Sequence, residues 1–278
     1  MRALVPTHRI SSPANADALR NQPDATGQLL APLLDLAAKS DNLIAGSVGE
    51  FVAAGEVFRI PRVLFMGPKG GGDTIRLAIF ATICGDELEG AHALIEFLHE
   101  LDRAPALAKG YHIHAYPVCN PTGFADGSRN NASGVDLAGQ FWRGSEEPEV
   151  YYLEREMGVH QLQGVISLHD IDSFHFHARI SSSILNESVV QPALNAARRF
   201  LPDTAQISGE NVATRPNPFQ SVPEGGLTRT DELPRAPFEI NFGIPVQAPR
   251  NSRIQGAVAA LKEILDCYRS LQAMRQNI

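Results

Sequence analysis

Cysteine is scarce in this sequence. The three cysteines, Cys84, Cys119 and Cys267, are odd in number and widely spaced along 278 residues. Such a set does not form the disulfide framework of a small secreted protein. The folded state must therefore rest on a buried apolar core, which a chain of this length with 44% hydrophobic residues can build.

Long apolar runs and basic clusters are also absent from the sequence. No stretch reaches the roughly 20 apolar residues that span a bilayer, and residues 1–20 lack the apolar segment of a signal peptide. The formal net charge is −7 with no cluster of lysine and arginine, which argues against nucleic acid or an anionic membrane as a partner. We expect a cytoplasmic protein, whose oligomeric state the sequence does not indicate.

The chain is organised around residues 79–98, which read IFATICGDELEGAHALIEFL. An apolar strand over Arg76–Ile83 is predicted to end in a turn at Cys84–Glu87, and a helix with apolar residues at helical spacing follows. Asp86 is predicted to cap this helix, with Glu89 completing a capping box. Open α/β folds place their sites at such turns, so the first and last residues of the turn could face one point. From this stretch alone, the simpler interpretation is a buried thiol and a solvated carboxylate.

Further apolar and alternating segments predict the rest of a single α/β domain. Strands are predicted over Gly46–Arg62, Val63–Met66, Tyr111–Val118, Val165–His169 and Phe238–Phe242, and helices over Gln28–Ala38, Pro148–Gln163 and Ser252–Met274. Gly67–Asp73 is predicted to be a hairpin connection and not a phosphate loop, because no lysine follows its last glycine. Leu201–Ala236 is predicted to be irregular. We divide the chain into an N-terminal arm and helix, residues 1–44, and one domain, residues 45–278.

Four separated pieces of sequence follow one another in a recognisable order. They are Cys84–Glu87, Asn120–Phe141, Ile166–Asp170 and Pro237–Pro245. In order and style they resemble the zinc carboxypeptidases of the carboxypeptidase A type, a superfamily that also holds succinylglutamate desuccinylase and aspartoacylase. The resemblance covers roughly residues 45–270, and its second piece is the most specific. In that piece the matching residues are Asn120, Pro121, Gly123, Arg129, Asn131, Gly134, Asp136, Leu137 and Phe141.

This resemblance implies a fold, a metal and a mechanism. The implied fold is a mixed, mostly parallel central sheet flanked by helices, of the phosphorylase/hydrolase-like kind. A zinc ion with an open coordination position would activate a water and polarise the scissile carbonyl, while a carboxylate acts as base and a cation stabilises the oxyanion. The implied residues are Cys84, Glu87 and His169 for the metal, Glu239 as base, Arg129 as cation, and Asn131 and Asp136 for the substrate, which would be a peptide or an N-acyl amino acid.

The chain departs from the family pattern at three places. Cys84 stands where the family has its first histidine ligand, so a thiolate and a carboxylate would cancel the charge of the ion and weaken its effect on bound water. Ala138–Gly139 replaces the Asn-Arg pair that grips the terminal carboxylate of a substrate. No tyrosine lies between His169 and Glu239 to cap the substrate. The arginines that could supply a positive charge instead are Arg143, Arg179 and Arg215.

Several functions therefore remain open. The first is a zinc-dependent hydrolase of a peptide or amide bond, and the second is a small-molecule deacylase of the desuccinylase/aspartoacylase kind. The third is a binding or scaffold protein that kept the fold and lost the chemistry, which the changes at Cys84 and Ala138–Gly139 favour. A thiol hydrolase using Cys84 and His169 is a weaker fourth alternative. One of His175 and His177 could replace a ligand or bind the substrate, but both more commonly lie in the groove of an ordinary strand.

Overall fold

The computed structural model describes residues 18–19, 25–180, 183–202, 227–228, 233 and 237–276. The predicted N-terminal arm and most of the predicted irregular segment over Leu201–Ala236 lie outside the described residues. The strands are β1 (Leu43–Ala53), β2 (Glu56–Met66), β3 (Ile75–Phe80), β4 (Tyr111–Tyr116), β5 (Gly164–Ile171), β6 (His177–Ile180) and β7 (Phe238–Pro245). The main helices are α1 (Ala25–Ala37), α2 (Glu89–Arg103), α3 (Pro121–Asp126), α4 (Pro148–Val159), α5 (Gln191–Arg198) and α6 (Arg250–Gln276).

The strands form one mixed sheet of seven strands in the order β1-β2-β4-β3-β5-β7-β6. The four central strands β4, β3, β5 and β7 are parallel to one another, whereas the β1-β2 hairpin and the short β6 are attached antiparallel. This arrangement confirms the predicted mixed, mostly parallel central sheet flanked by helices. The carboxyl ends of the parallel strands meet at one edge, where the turns after β3 and β5 lie.

Two predictions about connections are wrong. The single strand predicted over Gly46–Arg62 is two strands, because Ala54 and Gly55 adopt positive φ angles of 50° and 85° and turn the chain back on itself. The segment Gly67–Asp73 is not a hairpin connection, since β2 pairs with β4 and not with β3. Residue alternation predicts that a segment is extended, but it does not identify the strand with which the segment pairs.

Apolar side chains fill both faces of the sheet. One face packs against α2 and α6, and α1 joins the same core through three of its leucines; the central members are Leu77, Ile79, Leu168, Phe242, Leu94, Leu98, Leu261, Ile264, Leu30, Leu33 and Leu34. The other face packs against α4 and the loop before it; the members include Ala78, Phe80, Val165, Leu137, Phe141, Leu153 and Met157. None of the described helices is long and apolar enough to cross a membrane.

Candidate active site

The turn after β3 places two of the predicted site residues. The strand ends at Phe80, and Thr82 then takes a positive φ of 53° that reverses the chain. The Thr82 hydroxyl donates to the carbonyl of Glu87 at 2.9 Å, and the Glu87 amide donates to the carbonyl of Cys84 at 3.0 Å. These bonds close the turn locally, so the side chains of Cys84 and Glu87 lie together at the carboxyl edge of the sheet.

The start of helix α2 is tied to the end of β5. Oδ2 of Asp170 accepts the backbone amides of Leu88 at 2.9 Å and of Glu89 at 3.2 Å. The predicted capping box of Asp86 and Glu89 is therefore wrong, because the capping carboxylate comes from a residue 82 positions away from Leu88. Burial raises the pKa of Asp170 to about 6, and the negative charges of Glu87 and Glu89 add to the rise. This long-range cap holds the residue next to it, His169, against the turn.

Glu87 lies between the thiol and the imidazole. Its Oε2 lies 3.2 Å from Nδ1 of His169, and its backbone amide donates to the carbonyl of Cys84 at 3.0 Å. All three side chains are buried, with exposed fractions of 0% for Cys84, 7% for Glu87 and 2% for His169. Burial raises the pKa of Cys84 far above its ordinary value, and the charge of Glu87 raises it further. The sulfur is therefore a neutral thiol at physiological pH, which argues against a thiolate nucleophile.

The second nitrogen of the imidazole is held by residues that the sequence analysis did not identify. Nε2 of His169 lies 2.9 Å from Oγ of Ser167, whose hydroxyl donates to Oδ1 of Asn241 at 2.9 Å. Ser167 precedes His169 by two positions on β5 and so shares its face of the sheet. That spacing was the available signal for Ser167, whereas Asn241 is positioned by its pairing with Ser167 across the strands.

Arg129 reaches the same group of side chains from the loop after α3. Its Nε donates to Oδ2 of Asp136 at 3.0 Å, and its Nη1 lies 3.7 Å from Oε1 of Glu87. Nη2 is buried and has no hydrogen-bond partner among the described residues, although the side chain as a whole is 33% exposed. Burial lowers the pKa of Arg129, but the neighbouring acidic groups outweigh burial and the pKa rises. Arg129 is therefore a permanent cation beside Glu87, and Asp136 is its partner.

Asn131 has a role in the loop. It is 6% exposed, and its Nδ2 donates to Oε2 of Glu147 at 2.6 Å. Its Oδ1 accepts the backbone amides of Ser133 at 3.1 Å and of Val135 at 3.0 Å. Both ends of the amide are thus used inside the loop. The described contacts do not bring Asn131 to Cys84, Glu87 and His169, the three residues of the Glu87 group.

The structure does not bring Glu239 to the Glu87 group either. Glu239 pairs with Val165 near the start of β7, whereas the residue that pairs with His169 is Gly243. Four residues of strand at about 3.3 Å each separate the two positions by about 13 Å. The Glu239 carboxylate accepts the Thr228 amide at 2.9 Å and the Thr228 hydroxyl at 2.7 Å. Strand β7 therefore places a glycine, and not a carboxylate, opposite His169.

The remaining candidate groups lie elsewhere or outside the described residues. Nε2 of His177 lies 3.3 Å from the Ser173 hydroxyl, which also accepts the amide of His175. Arg143 is exposed at the surface, and Arg215 lies outside the described residues. None of these described contacts joins the Glu87 group.

Comparison with known proteins identifies the fold. No protein-family model matches the sequence, and no curated protein matches it. A candidate metallopeptidase from Shewanella amazonensis superposes with a TM-score of 0.60 at 20% identity, covering 86% of this chain and 90% of that one. A metallo-carboxypeptidase from Burkholderia cenocepacia superposes with a TM-score of 0.65 at 14% identity, covering 86% and 69%. The chain has the metallocarboxypeptidase fold.

A third solved structure extends the resemblance to the deacylase branch. A succinylglutamate desuccinylase/aspartoacylase from Rhodobacter sphaeroides superposes with a TM-score of 0.51 at 14% identity, covering 81% of this chain and 64% of that one. The resemblance inferred from the four sequence pieces is thereby confirmed as a shared fold. At these sequence identities the comparisons show the fold only. The chemistry of the site has to be inferred from the side chains of this chain.

The names of the structural neighbours imply a metal ion, but the side chains predicted to bind it in this chain are not arranged to do so. Among the described residues no group of three or more histidine, cysteine, aspartate or glutamate side chains is arranged to hold an ion. Both ring nitrogens of His169 lie in hydrogen bonds, to Glu87 and to Ser167. The predicted ligands are neighbours through Glu87, but they do not converge on a common point.

Proposed function

We propose that this protein binds a peptide or an N-acyl amino acid beside Glu87 and Arg129, at the carboxyl edge of the sheet, and that it does not hydrolyse this ligand. Of the functions open from the sequence, this is the binding protein that kept the fold. The observation that carries the proposal is the pairing of His169 with Gly243 across β5 and β7. A glycine at that level cannot take a proton from water, and the predicted base is about 13 Å away along the strand.

The hydrogen bonds of the Glu239 carboxylate support the same conclusion. A general base must lie within hydrogen-bond reach of the proton that it removes. Glu239 is 8% exposed and holds both the amide and the hydroxyl of Thr228. It therefore stabilises the segment at Thr228 and is not available at the carboxyl edge of the sheet.

The guanidinium of Arg129 indicates which ligand the proposed site would bind. A guanidinium binds a carboxylate through two parallel hydrogen bonds, a geometry that a lysine does not reproduce. Arg129 is one-third exposed, and its buried Nη2 has no hydrogen-bond partner among the described residues, so the guanidinium keeps an unused donor for a ligand carboxylate. The names of the structural neighbours, peptidases and a desuccinylase/aspartoacylase, support a peptide or an N-acyl amino acid as the ligand class.

Calorimetric titration tests this function. An N-acetyl dipeptide with a free carboxylate should bind, and its carboxyl-terminal amide should bind at least about tenfold more weakly, since one charged hydrogen-bonded pair is lost. Arg129→Gln should remove the preference, whereas Arg59→Gln, which breaks an ion pair with Glu50 on the hairpin, should retain it. Equal binding of acid and amide by the wild type would refute the proposal, as would release of free amine from the peptide.

A metal-dependent hydrolase of a peptide or amide bond is the second candidate. Its support is that Glu87 hydrogen-bonds to the carbonyl of Cys84 and lies beside the imidazole of His169, so the three positions implied for zinc are adjacent. The structural neighbours named as metallopeptidases favour it too. Release of amine from peptides or N-acyl amino acids that depends on added zinc and disappears in Glu87→Gln would establish this candidate in place of the first.

A further inference from the structure

The carboxylate of Glu87 already lies beside a positively charged group of the protein, the guanidinium of Arg129. Oε1 of Glu87 lies 3.7 Å from Nη1 of Arg129, while Oε2 lies 3.2 Å from the imidazole of His169. Both oxygens of the carboxylate thus face donors of the protein. In a metal site the same two oxygens would face the ion and its bound water.

The neighbours of Glu87 are arranged around that pairing. The Cys84 carbonyl accepts the backbone amide of Glu87 at 3.0 Å, and the Ser167 hydroxyl lies 2.9 Å from Nε2 of His169. Asp136, on the other side of the guanidinium, accepts from Nε of Arg129 at 3.0 Å. A zinc ion could enter only by breaking several of these bonds and by lying close to a permanent positive charge, which opposes its binding before any ligand bond is formed.

We infer that the guanidinium of Arg129 takes the electrostatic place of a metal ion in this fold, and that the wild-type protein excludes Zn²⁺ from the group Cys84, Glu87 and His169. This inference rests on the proposed function, because a site that binds a ligand carboxylate needs a cation that is always present.

The test is zinc binding by the full chain and its variants after dialysis, measured as bound zinc per chain and as the shift in unfolding temperature on adding zinc chloride. The wild type should retain no more zinc than Cys84→Ala. Arg129→Gln leaves Glu87 without its cation, so its affinity for Zn²⁺ should rise at least about tenfold. Arg59→Gln, which removes an arginine of similar exposure from the Glu50 ion pair, should behave as the wild type.

The outcomes separate this inference from the proposed function. One zinc per wild-type chain, lost in both Cys84→Ala and Glu87→Gln, would overturn the inference, as would unchanged zinc affinity in Arg129→Gln. If the wild type binds no zinc, the inference is supported. If the wild type also binds the acid no better than the amide, the proposed ligand is refuted. If Arg129→Gln fails to fold, the comparison of wild type with Cys84→Ala still decides the matter.

Discussion

His169 and Gly243 lie opposite each other in the parallel pairing of β5 with β7. In a parallel sheet, opposed residues share a face, so whatever β7 offers to the imidazole must come from this position or from Asn241, two residues earlier. Asn241 is already bonded to Ser167. The face of β7 next to the imidazole thus carries an amide and a glycine, which can orient a histidine but cannot accept a proton from water.

The contact between Gly243 and Ile171 gives the first prediction. A Cβ at position 243 would lie 2.6 Å from Cδ1 of Ile171, the flexible end of a buried side chain. Gly243→Ala should therefore lower the free energy of unfolding by about 1 kcal/mol, measured by urea denaturation. Gly46→Ala is the matched control on β1, because a Cβ there would meet nothing within 4 Å. Ile171→Val removes the clashing methyl, so a double variant that costs the full sum of the single changes would contradict this explanation.

The cap of α2 predicts an unusual pH dependence. The pKa of Asp170 rises from 3.8 to about 6 on folding, chiefly through burial. The folded state then binds more protons than the unfolded state between these values, so the contribution of Asp170 falls as pH rises from about 4 to about 6. At about 1.36 kcal/mol per pKa unit, the full change approaches about 3 kcal/mol.

Denaturant titrations at several pH values measure this effect. The difference in unfolding free energy between wild type and Asp170→Asn should shift in favour of the variant as pH rises from about 4 to about 6. The same series with Asp35→Asn, on α1, serves as the control. A difference that is constant across the range would show that Asp170 does not titrate there.

Local patterns predicted most of the strands and helices, whereas the arrangement of the sheet was predicted from the family resemblance of the four separated pieces of sequence. The run of apolar residues before Cys84 and the spacing in α2 require no information from distant parts of the chain. The cap by Asp170 and the pairing of Ser167 with Asn241 join residues far apart in sequence, and no local pattern reveals them. Glu239 illustrates the same limit, because a motif locates an acidic residue on a strand while the register between strands decides what it faces.

Glu239 should matter for stability and not for ligand binding. Its carboxylate accepts the amide and hydroxyl of Thr228 and, more distantly, the amide of Leu227 at 3.4 Å. Glu239→Ala leaves these buried donors unsatisfied, so the free energy of unfolding should fall by about 2 kcal/mol. Glu239→Gln keeps an acceptor and should lose less. Affinity for the N-acetyl dipeptide should be unchanged in both variants. A loss of binding without a loss of stability would show that Glu239 belongs to the ligand-binding site.

A second buried carboxylate anchors α4 to the sheet. Oε2 of Glu156 accepts from Arg62 at 2.9 Å and from the Tyr116 hydroxyl at 3.0 Å, and it lies 3.1 Å from Nε2 of His160. Burial would raise the pKa of Glu156, but the hydrogen bond to His160 and the charge of Arg62 outweigh it and lower the pKa to about 2. Nearby, the ring of His114 stacks on that of His160 with centroids 4.1 Å apart.

The depressed pKa of Glu156 fixes the sign of its effect. Its stabilising contribution is fully present above pH 4.5, the ordinary value, and is lost as pH falls towards about 2. Glu156→Gln should cost about 2 kcal/mol at neutral pH, because Arg62 then keeps a partly buried charge without a partner. The cost should shrink on acidification in denaturant titrations, whereas Glu50→Gln, at a carboxylate that is 54% exposed, should cost little at any pH. A cost for Glu156→Gln that grows towards low pH would mean that the carboxylate is protonated in the native state and that Arg62 is held by other groups.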